Sequence, residues 1–439
     1  MRSAVRLAWF LAICLSGMPI GLTAQTDSAT TADQDANLKF VVYLSRHGVR
    51  SPTGKPAQYN SYSAGLWPTW DVPPGNLTAH GFRLMELFGA YDRMQLASEG
   101  LLRPQGCDDA NHVVIYADSD QRTRETGKAL ESGLFPGCDT PAVLGLPEHT
   151  PDPLFHSLAA GTTTVHSQLA VAAIAGRIGG DPNNLTSIYH ARLNDLDAIL
   201  ARCGAHADSV QTRISIFEVP TVLTAGKGDH PVELRGPLNT ASTLAENILL
   251  EYAQGFDNAN VGWGCVDGDH LRALLELHTA ASDFTQRTPL IAQLEASNLL
   301  DHIQRAIQQA AGGKAIAGAI SRPTDRALFL VGHDTNLSNV AGLLNLTWIA
   351  DGRRDDTPPG ASLVFELWHS RETNADFVRV FYTSQTLEQM RSEVALTLNT
   401  PPVRVPVFIP GCSGEDFSCS LPSFIQIVSH AIEPTSVSP

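Results

Sequence analysis

The stretch "KFVVYLSRHGVRSPT", Lys39–Thr53, joins an apolar run directly to a cluster of cations. The run Phe40–Leu44 is continuously apolar, which is typical of a strand covered on both faces of a parallel sheet. Arg46, His47 and Arg50 follow at once. In open α/β sheets, ligands bind at the carboxyl ends of the strands. The stretch therefore predicts a buried strand that delivers two guanidiniums and one imidazole to a binding edge.

Two later stretches repeat this arrangement of strand, polar turn and helix. "HVVIYADSDQRTRETGKALESGLF" predicts a strand at Val113–Ala117 and a helix from Gln121 to Leu134. "RALFLVGHDTNLSNVAGLLNL" predicts a strand at Leu328–Val331 and a helix from Thr335 to Leu344. A loop and strand over residues 350–365, with a hairpin partner at Phe377–Thr383, complete the pattern. We expect an α/β fold with a mostly parallel central sheet flanked by helices.

The middle of the chain has a different pattern, because its apolar residues recur at helical spacing. "LTSIYHARLNDLDAILARCG" and "LNTASTLAENILLEYAQG" are two examples. We interpret residues 160–280 as a smaller α-helical domain inserted over the carboxyl edge of the sheet. Residues 38–159 and 281–433 would then form the α/β domain.

Composition places limits on the partner. The chain has 439 residues, of which 43% are hydrophobic and 17% charged, as in soluble globular enzymes. A net charge of −15 argues against nucleic acid, since binding a polyanion needs a basic face. A small anionic substrate is compatible with this charge where the cations are local.

The N-terminus predicts export. Arg2 and Arg6 precede the apolar stretch "LAWFLAICLSGMPIGL", and "LTA" offers a cleavage site after Ala24. We interpret residues 1–24 as a signal peptide, with a membrane anchor as the alternative, and residues 25–37 as a flexible tail. We expect a periplasmic or secreted protein, monomeric and free of the membrane once the signal is removed.

Export also changes the interpretation of the cysteines. Six of the seven follow the signal, an even number in an oxidising compartment, so disulfides are expected. Six cysteines allow 15 pairings. Cys412–Cys419 closes a short loop, Cys107–Cys138 would join the flanks of one strand–helix unit, and Cys203–Cys265 follows by elimination.

The three strand-end turns together supply a site for a phosphate. They carry three guanidiniums, two imidazoles and one carboxylate: Arg46, Arg50, Arg122, His47, His333 and Asp334. Guanidinium forks bind tetrahedral oxyanions bidentately and keep their charge. A neutral imidazole at His47 can attack phosphorus, and Asp334 can protonate the leaving alkoxide. A metal site built from the histidines and Asp334 is the alternative, which the three arginines disfavour by repulsion.

These motifs also carry a family resemblance. "RHGVRSPT" and "GHDTN" resemble the two signature motifs of the histidine acid phosphatases. "YADSDQRTRETGKAL", "TPDPLF", "GWG", "QRTP", "NTPP" and "GCSGEDFSCSL" resemble their bacterial periplasmic branch, which includes phytases and glucose-1-phosphatases. The likeness extends over residues 38–433.

The resemblance implies roles position by position. His47 matches the nucleophile that forms a phosphohistidine, and Asp334 the proton donor. The family's phosphate ligands match Arg46, Arg50, Arg122 and His333. It also implies a two-part fold, a small phosphate monoester as substrate, and no metal or organic cofactor.

Substrate choice is less determined by the motifs. Thr53, retained in the first motif, is a potential substrate contact. Glu246 matches an acidic position that faces the substrate in phytases, with an exposed helix residue as the equal alternative. Phytases commonly have a lysine where this chain has Gly54, and Lys55 lies one position later. We therefore predict a phytase, with a glucose-1-phosphatase or a broad acid phosphatase as the alternative. A phosphotransferase and a non-catalytic phosphate-ester binder are further alternatives. We expect an acidic optimum, since Asp334 must be protonated while the arginines keep His47 neutral.

Overall fold

The computed structural model describes residues 35–204, 213–227 and 230–438. The predicted signal peptide and most of the predicted tail lie outside these ranges. The strands are β1 Ala36–Arg46, β2 Val113–Ala117, β3 Val222–Ala225, β4 Val232–Arg235, β5 Ala327–Gly332, β6 Ile349–Ala350, β7 Arg353–Arg354, β8 Ser362–Ser370, β9 Ala375–Ser384, β10 Val403–Val407 and β11 Cys419–Ser420. The helices are α1 Pro56–Tyr59, α2 Ala79–Ser98, α3 Gln121–Leu134, α4 Ser167–Arg177, α5 Asn183–Ile188, α6 His190–Arg202, α7 Pro237–Ala253, α8 Gly268–Thr285, α9 Pro289–Gly312, α10 Asp334–Leu344, α11 Leu387–Ser392 and α12 Leu421–Ala431.

The central sheet is mixed, in the order β10-β9-β8-β1-β5-β2, with β11 also pairing with β9. The three strands predicted from the strand-turn-helix pattern, β1, β5 and β2, are parallel neighbours. The other half is antiparallel, because β8 and β9 form the predicted hairpin and β8 pairs beside β1. The predicted α/β fold, a central sheet flanked by helices, is confirmed, and its parallel pairs lie in the half that carries the candidate site.

The predicted tail ends earlier than residue 37. Ala36 and Asn37 belong to β1 and pair with Ser370 and His369 of β8. The side chain of Arg371 adds a hydrogen bond to Asn37 Oδ1 at 2.8 Å. The prediction of a flexible tail is therefore wrong for these two residues, because the sheet continues past the apolar run that marked the strand.

The sheet is covered on both faces, as the continuous apolar runs predict. In β1, Phe40, Val42 and Leu44 face a cluster that includes α9, α10 and α12. Val41 and Tyr43 face the opposite cluster, which includes α2 and α3. Successive strand side chains point to opposite faces, so a strand buried on both sides must be apolar throughout.

Helices α4 to α8 pack around an apolar cluster of their own, built largely from α6, α7 and α8. We propose that these helices form the insertion predicted over residues 160–280. The region also contains a hairpin of β3 and β4 that the helical spacing did not predict. The cluster includes Val49 and Leu84 from the sheet side, so the two parts share a packed boundary beside the first motif.

The three predicted disulfides, Cys107–Cys138, Cys203–Cys265 and Cys412–Cys419, are all present. The longest chain separation that they close is 62 residues, between α6 and the turn before α8. Within the described ranges, no helix has the length and apolar character needed to cross a bilayer.

Candidate active site

The ends of β1, β5 and β2 lie side by side, so the three polar turns meet at one edge of the sheet. Arg46 pairs with Gly332, and Ala117 pairs with Val331. The His47 backbone N–H donates to the Gly332 carbonyl at 3.0 Å. The structure thereby brings together all six predicted phosphate-site residues at this edge, and Glu246 contacts two of them, Arg46 and Arg50.

His47 is buried, and its ring has a defined orientation. Nδ1 lies 2.8 Å from the carbonyl oxygen of Gly48. A carbonyl only accepts hydrogen bonds, so Nδ1 carries the hydrogen and the neutral ring presents the Nε2 lone pair. Burial, followed by Arg122, Arg46 and Arg50, lowers the pKa of His47 well below its ordinary value. The His47 ring is therefore neutral under acidic conditions, as the predicted role of nucleophile requires.

Gly48 makes the turn after His47 compact. Its N–H donates to Thr126 Oγ1 at 2.9 Å. A Cβ at this position would lie 2.8 Å from Met85 Cγ and 2.9 Å from the Gly81 carbonyl oxygen. Because the Gly81 backbone of α2 cannot move aside cheaply, only glycine fits between His47 and the helix.

Arg46 and Arg50 share one carboxylate. Arg46 is fully buried, donates from Nη1 to the Thr357 carbonyl at 2.6 Å and from Nη2 to Glu246 Oε1. Arg50 Nη2 donates to the same Glu246 oxygen at 3.1 Å. Burial raises the pKa of Glu246, but Arg50 and Arg46 outweigh burial and hold the pKa well below its usual range. The alternative that Glu246 is an exposed helix residue is wrong.

Arg122 and Thr53 lie close to the same turn at this edge. Arg122 is the second residue of α3 and pairs with Asp120 at 2.6 Å. Thr53 is exposed in the loop after β1. A Cβ on Gly75 would lie 3.5 Å from Thr53 Cγ2 and 3.8 Å from Arg122 Nη1, so both residues border the same turn. Thr53 therefore lies at the rim of the site, close to Arg122, a predicted phosphate ligand.

His333 caps helix α10 and is held at both ends of its ring. Its backbone N–H donates to Asn336 Oδ1 at 2.8 Å. Its Nε2 lies 2.7 Å from Asp118 Oδ2, and its Nδ1 lies 3.3 Å from Arg122 Nη2. Burial lowers the pKa of His333, and the Asp118 hydrogen bond opposes that effect.

Asp334 is the first residue of α10, beside Arg46. Its Oδ1 lies 4.0 Å from Arg46 Nε, and its Oδ2 lies 3.9 Å from His278 Nε2. Burial raises the pKa of Asp334, but Arg46, His278 and Arg50 together outweigh burial, and the net pKa lies below its ordinary value. The unliganded site thus favours the ionised carboxylate, whereas the predicted role needs the protonated acid.

Sequence reasoning missed three residues of the site. Asp118 is fully buried at the end of β2 and accepts hydrogen bonds from His333 and His156. His278 lies on α8 and contacts Ser242 Oγ at 3.1 Å. Asp118 stood in the quoted turn "YADSDQR" and could have been found there. The two histidines are isolated in the sequence, and no local pattern marks them.

Two groups in the site have ligand types and spacing suited to a metal ion: Asp118, Asp120, His156 and His333, and Glu246, His278 and Asp334. In the first group Asp120 is paired with Arg122, and in the second Glu246 is paired with two guanidiniums. Cations this close repel a divalent ion, and they favour a bound anion instead. The arrangement fits an oxyanion held by arginines beside a nucleophile and a carboxyl group.

Comparison with known proteins gives consistent matches. The profile of the histidine phosphatase superfamily (branch 2) matches residues 37–201 and 269–383. Phytase AppA of Escherichia coli (strain K12) is 36% identical over 423 residues, which cover 94% of this chain and 96% of that protein. Glucose-1-phosphatase of Salmonella typhimurium is 28% identical over 429 residues, covering 96% and 98%. Hafnia alvei phytase in complex with myo-inositol hexakis sulphate superposes with a TM-score of 0.83 at 36% identity, covering 92% of this chain and 99% of that one.

Proposed function

The chain belongs to the histidine phosphatase superfamily, branch 2, as a histidine acid phosphatase, and we propose that its substrate is phytate. The observation that carries the catalytic assignment is the convergence of Arg46, Arg50 and Arg122 around His47. Three fixed positive charges match a phosphate and the further charge of its transition state. The hydrogen bond from His47 Nδ1 to Gly48 leaves Nε2 as the attacking atom.

In the first step, His47 Nε2 forms a bond to phosphorus while the bond from phosphorus to the ester oxygen breaks. The proton of the Asp334 carboxyl group passes to the leaving alkoxide. In the second step, water attacks the phosphohistidine and gives its proton to the Asp334 carboxylate. Free phosphate and His47 are then regenerated.

Substrate binding raises the pKa of Asp334, so that the carboxyl group is protonated in the complex. Arg46 depresses the pKa of Asp334 in the free site. A bound phosphate places its negative charge next to Arg46 and Arg50 and offsets the positive charge that stabilises the Asp334 carboxylate. The pKa of Asp334 therefore rises in the complex. The proton donor is therefore formed together with the substrate complex.

Phytate is favoured by similarity to phytases at 36% identity and by the Hafnia alvei phytase that binds an inositol hexakis sulphate. The first loop departs from the phytase pattern at Gly54. A Cβ there would lie 2.2 Å from the Tyr59 hydroxyl, which accepts the Gly54 N–H at 2.8 Å. Gly54 thus permits Tyr59 to close the loop, and Lys55 is the exposed cation next to it.

A broad acid phosphatase is the second candidate, supported by an apolar cavity of about 170 Å³ beside the loop that follows Arg50. Tyr59, Trp67 and Trp70 contribute aromatic rings to its lining. Such a lining suits an aromatic or apolar leaving group rather than a polyphosphorylated ring.

One experiment separates these candidates. We would measure kcat/KM for phytate, glucose 1-phosphate and a simple aryl phosphate at pH 4 to 6, with and without a chelator. Preference for phytate supports the phytase assignment, and preference for the aryl ester supports the broad phosphatase. Chelator sensitivity would contradict a metal-free mechanism.

The nucleophile is tested by trapping. Acid-quenched turnover of a labelled substrate should yield a phosphohistidine, and His47→Ala should abolish it. Release of free phosphate, rather than transfer to an added alcohol, separates hydrolase from phosphotransferase. A chain that binds phosphate esters without turnover would contradict the proposal.

Location and assembly follow from the same proposal. Export through the apolar N-terminus would bring the enzyme to phosphate esters outside the cytoplasm, as a monomer. Fractionation of the producing cell and light scattering of the purified protein test these two points.

A further inference from the structure

Asp118 is a fully buried carboxylate held between two imidazoles. Its Oδ2 lies 2.7 Å from His333 Nε2 and 3.0 Å from His156 Nε2. Its Oδ1 is buried and has no hydrogen-bond partner among the described residues. An ionised carboxylate only accepts, so both Nε2 atoms carry hydrogen. One carboxylate oxygen therefore fixes the orientation of two histidines.

The remaining nitrogen of His333 faces the phosphate side of the site. Its Nδ1 lies 3.3 Å from Arg122 Nη2, and its ring stands edge-on to His47 with 5.6 Å between centroids. In the free protein, Nδ1 accepts from Arg122 and is unprotonated. To donate to a phosphate oxygen, Nδ1 must take up a proton, which makes the ring an imidazolium. The Asp118 charge stabilises that imidazolium.

His156 interacts with the same Asp118 carboxylate as His333. Its ring centroid lies 5.2 Å from that of His333, and its side chain is 32% exposed, so it can exchange protons with solvent. Besides Asp118 and His333, the charges that face His156 are Asp120, Asp152 and Glu295. A proton on His156 repels a second proton on His333, since like charges at this distance disfavour each other.

We propose that Asp118 and His156 are positioning residues that together set the pH above which His333 stops donating to the bound phosphate. Asp118 favours the doubly protonated His333 ring, and His156 opposes it. The inference rests on the proposed function, because it requires the phosphate to lie against His333.

The test is the affinity for inorganic phosphate, measured by calorimetry from pH 4 to 8 for the wild type and two variants. Asp118→Asn removes the anion, so phosphate affinity at pH 5 should fall about 100-fold, and tight binding should end at lower pH. His156→Gln keeps an N–H donor but removes the charge, so tight binding should extend about one pH unit higher. Free phosphate also changes its ionisation over this pH range, but this change is the same for all three proteins and cancels when they are compared.

A matched control is His369→Gln. His369 Nδ1 lies 2.7 Å from Asp376 Oδ1 on the β8–β9 hairpin, and its side chain is 31% exposed. This variant removes the same chemical pair away from the site and should leave phosphate binding unchanged at every pH. A merely structural role for His156 would give no upward shift relative to this control.

The outcomes are separable. Shifts of the binding limit in opposite directions support the inference, and shifts in the same direction, or none for His156→Gln, overturn it. Where Asp118→Asn does not fold, His156→Gln against His369→Gln decides alone. A wild type that hydrolyses no phosphate ester would refute the proposed function. A wild type that does so without the expected shift would refute only the present inference.

Discussion

Replacing Glu246 by Gln should strengthen the binding of inorganic phosphate. Glu246 Oε1 lies 3.1 Å from Arg50 Nη2 and also accepts from Arg46, and its side chain is only 14% exposed. A phosphate held on the other edges of these guanidiniums would lie roughly 6 Å from the carboxylate. Two unit charges at that distance repel by about 3 kcal/mol at an effective dielectric constant of about 20. Glutamine keeps the shape of the side chain and removes this repulsion.

The expected result is an inhibition constant for inorganic phosphate at pH 5 that falls at least about tenfold, toward the roughly hundredfold limit that 3 kcal/mol implies. The assay is competitive inhibition of aryl phosphate hydrolysis. The pKa of Glu246 lies well below its usual range because of Arg50 and Arg46, so the carboxylate is charged at this pH.

Glu366→Gln provides the matched control. Glu366 is buried in β8 and accepts from Arg404 Nη2 at 2.7 Å, so its loss removes a comparable ion pair outside the site. This variant should lower stability without changing phosphate inhibition. An unchanged or weakened inhibition constant for Glu246→Gln would refute the reasoning, because it would mean that Glu246 leaves the arginines or takes up a proton when phosphate binds.

Three further predictions concern the acid, the nucleophile and the fold. Asp334→Asn should reduce kcat for phytate by about 100- to 10,000-fold and kcat for an aryl phosphate far less, since a phenolate leaves without a proton. Equal losses of kcat for the two substrates in parallel assays would argue against Asp334 as the proton donor. Burial, Arg122 and the other arginines lower the pKa of His47 below 6.5, and the nucleophile acts unprotonated. The value of kcat/KM should therefore persist as the pH falls through 6.5 and decline only near the lowered pKa of His47. A pH–rate profile whose acid side is half-maximal at or above pH 6.5 would contradict this. Replacing both cysteines of Cys203–Cys265, 62 residues apart, should lower the free energy of unfolding in urea by about 4 kcal/mol. For Cys412–Cys419, 7 residues apart, the expected loss is about 2 kcal/mol, and the reverse order would contradict the loop-length argument.

The strands and turns that carry the chemistry could be predicted because their signals are local. A run such as Phe40–Leu44 is apolar throughout since both faces of β1 are covered. Parallel strands end at one edge, so the cations and histidines that follow β1, β2 and β5 had to meet. The pairing of β8 beside β1 could not be predicted in this way, because it depends on which sheet edge is open after the helices have packed.

The helical contributions to the site could not be located from the sequence. Glu246 reaches Arg46 only because α7 crosses the carboxyl edge of the sheet, a contact between residues 200 positions apart. His156 and His278 are single histidines whose meaning depends on a carboxylate elsewhere in the chain. Asp118 was visible in the turn, but its burial between two rings is a property of the packed structure.

The charges of the free site explain how an acidic chain holds a buried Arg46. A buried cation needs a partner, and Arg46 has Glu246 in contact and Asp334 at 4.0 Å. Phosphate therefore binds as a further anion on guanidiniums that already have a carboxylate partner, rather than filling a bare positive pocket. When the phosphate charge offsets the charge of Arg46, Asp334 loses the interaction that kept its pKa low. The Asp334 carboxylate then takes up a proton beside the ester oxygen. In the mechanism that we propose, burial and the arginines keep His47 neutral in the free enzyme, and the same arginines allow Asp334 to take up its proton only in the complex. One site can thereby hold its nucleophile and its proton donor in the required states at acidic pH.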